Sequence, residues 1–327
     1  MNILPVTGAD PVGAAALLGH ADPAELERFA TLEDAVWGKT TLSPAATEAV
    51  RLHCAQIRGC EFCKAVRISA AIEDGLSEAQ IAHLNEPEAR AEFSDEQSAA
   101  LTLVDHFLLD PRRPNEQRMA EIAATLGTAG VMEVLLACCA FASADLRIAL
   151  GQNFEPNGSN IFERARGART TNPTSGGWPV LQGAVLDRDV DFPAVAPELA
   201  RPIRERVIAL WSGNDLSPEL VAACIIRSSQ MLGVASDDPV NRLLIPQRAA
   251  TLADAEHVRN WPQWPVGSGL NEMALAERVW MDPVSVNADV TDPLQATLGV
   301  DGIIRVTWKL ILIGQLHRLA LVLHRGA

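Results

Sequence analysis

The sequence predicts an all-α fold, on three observations. Long stretches rich in Ala, Leu, Glu and Arg carry apolar residues at three- and four-residue spacing, the period of a helix with one buried face. Hardly any segment alternates apolar and polar residues as a half-buried strand does. Helix start signals recur, most of them a serine followed three residues later by glutamine, or directly by proline. With 327 residues and 48% hydrophobic content, the chain can bury one large core or two domains of ordinary size.

Taken in order, Ser43-Pro44 opens the helix of "AATEAVRLHCAQI" and Gly59 ends it. "CEFCKAVRISAAIED" reads as the next helix, closed by Gly75. Ser77 with Gln80 opens a helix through "EAQIAHL", and Ser94 with Gln97 opens one through "DEQSAALTLVDHFL". "RNWPQWPVGSG" (Arg259 to Gly269) reads as a Trp-Pro loop packed on the core, with a pocket lined by its two tryptophans as the alternative. The apolar tail "LILIGQLHRLALVLHR" is broken by His317 and Arg318 before the ~20 apolar residues a bilayer span requires, so it reads as a buried helix.

The chain also repeats itself. "WGKTTLSP" at Trp37 returns as "WSGNDLSP" at Trp211, 174 residues on (37 to 211), and Gln56 and Gly59 fall on Gln230 and Gly233 at the same shift. "FLLDP" at Phe107 returns as "VWMDP" at Val279, and "ATLGTAGVMEV" at Ala124 as "ATLGVDGIIRV" at Ala296, both 172 residues on (107 to 279, 124 to 296). Between the copies lies a segment rich in Gly, Asn, Pro and Thr, which sets domains at 1–170 and 171–327. Each copy alone leaves an apolar face uncovered, so the two are expected to pack as two subunits of a dimer would. The second copy keeps the scaffold and drops the reactive groups: Cys60, Cys63 and Glu48 align with Val234, Asp237 and Ala222.

Composition excludes some partners. A formal net charge of -14 disfavours nucleic acid and anionic membrane surfaces, which need a positive patch. The N-terminal stretch has no basic start ahead of an apolar run, so a cytoplasmic location is expected. Six cysteines without a secretion signal are expected to be reduced, and a close pair among them points to redox or metal chemistry.

That pair is Cys60 and Cys63. Placed at a helix start, its sulfurs face unpaired backbone N–H groups that favour a thiolate. In a continuous helix at about 100° per residue, both sulfurs would share one face with Arg67. Glu48, Cys60 twelve residues on (48 to 60), Cys63, and the following "ISAAIEDGLSEAQIAHL" resemble the alkyl hydroperoxidase D and carboxymuconolactone decarboxylase family. The strong part of the resemblance covers residues 40–90. It implies a helical fold, a cofactor-free thiol peroxidase or disulfide reductase, a dithiol or protein reductant, and a homo-oligomer such as a trimer of such chains. By the same resemblance Cys63 is the attacking thiolate, Cys60 the resolving cysteine, and Glu48 part of the proton relay. The sequence departs from the family at Arg67, which stands where its redox members carry a histidine and which cannot accept a proton.

Alternatives stay open beside this reading. The cysteine pair could be buried packing, or it could join His53 and Cys54 on zinc. Glu48 and Arg67 could form a structural ion pair. By its angle His53 faces away from Glu48, and His106 could supply the absent base, though an exposed or capping histidine is the simpler reading. Cys138, Cys139 and Cys224 lie in apolar runs that read as core. The resemblance also admits the lyase branch, which does not use the cysteines, and a catalytically silent binding or assembly protein.

Overall fold

The computed structural model describes residues 14–38, 41–111, 115–153, 161–163, 178–179, 197–212, 215–245, 255–265 and 269–323. Among these the chain is helical nearly throughout. Helices α1 (Ala14–Ala21) and α2 (Pro23–Trp37) lead into α3 (Pro44–Arg58). As predicted, Ser43 caps α3, its side chain accepting from the Ala46 amide, with Pro44 at the first helical position. Gly59 closes the helix in the left-handed conformation (φ 71°, ψ 29°), which costs glycine little.

There the sequence reading needs correction. The motif does not sit on one long helix: α4 (Glu61–Ala65) lasts five residues, the backbone turns extended at Val66, and a two-residue strand β1 (Arg67–Ile68) precedes α5 (Ser69–Glu73). Gly75 then adopts positive φ at the end of α5, as expected. Both α6 (Glu78–Ala82) and α7 (Asp95–Leu108) begin with complete capping boxes, Ser77 with Gln80 and Ser94 with Gln97. The long α8 (Glu116–Phe141) and the short α9 (Ala144–Ala149) follow, then β2 (Ile161–Phe162), which pairs in parallel with β1.

The second part contains α10 (Pro197–Ser212), α11 (Pro218–Met231), α12 (Pro239–Leu244), α13 (Ala255–Arg259), α14 (Leu270–Met281) and α15 (Ala288–Leu323). The described part of its Trp-Pro segment, residues 259–265, packs on these helices around a short turn at Trp261–Gln263. Trp264 is buried against the His257 ring, and Trp261 Nε1 donates to Glu277 Oε1 at 2.6 Å. The residue-170 boundary lies outside the described residues.

One hydrophobic core runs through both parts, from Leu103 and Val134 to Ile225 and Ile304. α2 packs on α10, α8 on α15, and α15 also reaches α1, α7 and α9. Both long helices bend where a glycine takes a conformation essentially reserved to it: Gly127 (φ 67°, ψ 170°) and Gly299 (φ 70°, ψ −178°). Two helical stretches, Glu116–Ala149 and Ala288–Leu323, are long and apolar enough to span a membrane, and 83% and 89% of their most apolar windows lie inside the protein.

Two arginines tie the parts together. Arg58, at the end of α3, donates to the Val279 and Trp280 carbonyls at 2.6 and 3.3 Å, where α14 ends. Arg318, on α15, donates to the Leu108 and Phe107 carbonyls at 2.7 and 3.3 Å, where α7 ends. These carbonyls are otherwise orphaned by the helix terminus, and a cation also suits the negative end of the dipole.

Candidate active site

The cysteine turn is built from backbone hydrogen bonds. The Gly59 amide bonds the Gln56 carbonyl at 3.3 Å and the Cys60 amide bonds the Ala55 carbonyl at 2.9 Å, a pattern that terminates α3 and fixes the direction of Cys60. Asn153 brackets the turn from outside, donating to the Gly59 carbonyl and accepting from the Glu61 amide, both at 2.9 Å. Cys60 and Cys63 are joined as a disulfide with Cα atoms 5.3 Å apart, and the Cys63 amide donates to the Cys60 sulfur at 3.2 Å. Cys60 is 0% exposed and packs with Ala55, Ala144 and Ile148, whereas Cys63 is half-buried.

The alternative of a structural ion pair between Glu48 and Arg67 is not what the structure shows. Glu48 is 1% exposed and accepts from Arg51 Nε and Nη2 at 2.6 and 2.7 Å and from the Ile68 amide at 3.2 Å. Arg51 in turn donates to the Cys63 and Val66 carbonyls at 2.9 and 2.8 Å. The Glu48–Arg51 pair is therefore a clamp on the exit of the cysteine turn. Because the helix stops at Ala65, the face expected to unite Arg67 with both sulfurs does not form. Arg67 instead pairs with the exposed Glu78 at 2.7 Å and donates to the Lys64 and Val66 carbonyls. That hydrogen bond with Glu78 raises the arginine's pKa and lowers the carboxylate's.

Cys63 opens onto a cavity of about 450 Å³ between α2, α3, α4, α8 and α9. Phe29, Trp37, Phe62, Phe141 and Phe162 give it apolar walls, and three guanidiniums line it: Arg51, Arg58 and Arg147. Arg58 is ion-paired to Asp145 at 2.7 Å; burial lowers its pKa, but Asp145 outweighs this and the net shift is upward. Arg147 is buried with its guanidinium 4.1 Å from the Phe62 ring centre, and burial lowers its pKa to about 10. Among the lining residues Glu33 is the carboxylate.

The sequence pointed to none of these three arginines, nor to Glu33. Arg51 could have been found, standing three residues after Glu48 on the same helix. Arg58 and Arg147 could not, because their partners come from other helices. The two histidines lie elsewhere. His53 is buried between Asn85 Oδ1 at 3.0 Å and Asp105 Oδ1 at 2.6 Å, which places it away from the turn as its angle suggested. His106 does not line the cavity. The zinc alternative lacks its geometry: His53 is directed at Asn85 and Asp105, and among the described residues no three His, Cys, Asp or Glu side chains gather at one point.

Residues 23–106, from α2 to the last turn of α7, match the carboxymuconolactone decarboxylase family. No curated protein and no solved structure matches the chain.

Proposed function

We propose that this chain, with the carboxymuconolactone decarboxylase signature over its first helices, is a thiol-dependent oxidoreductase of the alkyl hydroperoxidase D type. The observation that carries the reading is the unequal placing of two bonded sulfurs, Cys60 sealed in the core and Cys63 on the wall of an arginine-lined cavity. In this reading the Cys63 thiolate attacks the near oxygen of a peroxide. The O–O bond breaks, the distal oxygen leaves and takes up a proton, and Cys63 becomes a sulfenic acid. Cys60 then attacks that sulfur, water leaves, and the disulfide forms. The peroxide gains the two electrons that the dithiol loses.

The residues assigned from the sequence change roles here. Arg58, Arg51 and Arg147, not Arg67, supply the positive field that favours a thiolate at the cavity. Glu48 is a positioning residue that sets Arg51, and to Glu33, the carboxylate among the cavity-lining residues, we assign proton exchange. A small dithiol or a protein dithiol resets the pair by attacking Cys63, and assembly into a homo-oligomer belongs to the same proposal.

The test is titration of the reduced protein with peroxide. Two thiols should disappear per peroxide, and Cys63→Ser should lose turnover; continued peroxide consumption by that variant defeats the reading. A second reading rests on the three guanidiniums and apolar walls, which suit a small organic acid as in the lyase branch of the family. Catalysis of such a reaction by protein with fully alkylated thiols would establish it.

A further inference from the structure

The cavity that exposes Cys63 has a second sulfur on its wall. Cys54, from the middle of α3, lines it, and its Sγ lies 3.9 Å from the Sγ of Cys138 on α8. Both are buried free thiols. Each alone reads as core packing, and their meeting across 84 residues of chain is a product of the fold.

Their surroundings are unequal. The Arg58 guanidinium is close enough to interact with Cys54 as well as with Asp145, so Cys54 has a fixed cation beside it and an opening onto the cavity. Cys138 has neither; burial, and then the neighbouring Cys54 sulfur, push its pKa far above the ordinary thiol range. A disulfide needs the sulfurs about 2.05 Å apart, so from 3.9 Å the pair must close by roughly 1.9 Å.

We infer that Cys54 and Cys138 form a second redox pair that draws oxidising equivalents from the Cys60–Cys63 disulfide by exchange inside the cavity. The Cys54 thiolate attacks Cys63 Sγ, the Cys60–Cys63 bond breaks, and Cys60 leaves as thiolate. Cys138 gives up its proton and attacks Cys54 Sγ, the Cys54–Cys63 bond breaks, and Cys63 leaves as thiolate. The protons released by Cys54 and Cys138 end on Cys60 and Cys63, and the first pair gains the two electrons that the second loses. The chain then absorbs a second peroxide before any external reductant is needed. This rests on the proposed redox role of Cys60 and Cys63 and extends it.

The experiment is a stepwise titration of the fully reduced full-length protein with hydrogen peroxide, alkylation after each step, and disulfide mapping by mass spectrometry. The expected result is two equivalents consumed, with the Cys54–Cys138 disulfide appearing during the first as Cys60–Cys63 passes its oxidation on, both disulfides present after the second, and Cys139 and Cys224 still alkylated as internal controls. In Cys63→Ser the Cys54–Cys138 bond should form at least tenfold more slowly. Consumption that stops at one equivalent with Cys60–Cys63 formed and Cys54 and Cys138 reduced overturns the second pair and leaves the first intact. Formation of Cys54–Cys138 at an undiminished rate in Cys63→Ser overturns the exchange route. If Cys60 and Cys63 themselves fail to pair, the functional reading falls and this inference with it.

Discussion

The turn after α3 and the turn after α11 have the same backbone and different chemistry. Ser43 and Ser217 cap the two helices, each followed by proline. Gly59 and Gly233 end them with φ of 71° and 68°. The next amide reaches back five residues in both, Cys60 to Ala55 and Val234 to Ser229, at 2.9 Å. The side chains at these turns do not match. Cys60 and Cys63 stand where the second turn has Val234 and Asp237, the buried Glu48 where it has the buried Ala222, and Cys54 where it has Ser228. Ser228 and Ser229 hold the buried His317 ring at 2.7 and 3.1 Å. Caps and glycines thus make the turn without help from the thiols, so its reactivity can be added or removed without rebuilding the scaffold.

The largest way to break this comparison lies at the contact the two parts exchange. Arg58→Met takes the ion-pair partner from the buried Asp145 and frees the Val279 carbonyl, and should cost about 3–5 kcal/mol in urea unfolding; a cost below about 1 kcal/mol would mean that the parts are not tied there. The matched glycines come next. Gly127→Ala and Gly299→Ala should each cost about 1–3 kcal/mol, and a neutral result at either would show that its bend is not enforced by the backbone.

A smaller effect separates the halves by pH. Burial, and then the nearby Arg318, lower the pKa of His317 to about 3, below its unfolded value of 6.5. The neutral ring therefore contributes stability that is complete above pH 6.5 and is lost as the pH falls toward 3. One unit below 6.5 the loss should be about 1.4 kcal/mol, and His317→Gln should flatten that slope. Smallest is Arg67→His. Because Arg67 faces Glu78, the rate of Cys63 with peroxide should change by no more than about threefold, or ~0.6 kcal/mol; a larger change in either direction would return Arg67 to the chemistry.

What was legible in the sequence was local. Ser43, Ser77 and Ser94 cap helices because their partners lie within three residues, and Gly59 and Gly75 supply positive φ wherever the surrounding fold sends the chain. The short cysteine helix was not legible. Extended backbone at Val66 is held by Arg51 from α3 and by the pairing of β1 with β2, and neither is encoded in the segment from Cys60 to Arg67. The same holds for the site. The thiols and Glu48 form a spaced pattern, while the Arg58–Asp145 pair spans 87 residues and Arg147 reaches Phe62 from another helix.

The reciprocal arginines bear on how the molecule survives cutting. Arg58 grips the end of α14 and Arg318 the end of α7, so each part completes a helix of the other through side chains rather than through the connecting chain. A protease nick in the connecting chain would accordingly release no free fragments: the two pieces would elute together on a sizing column and come apart only in denaturant.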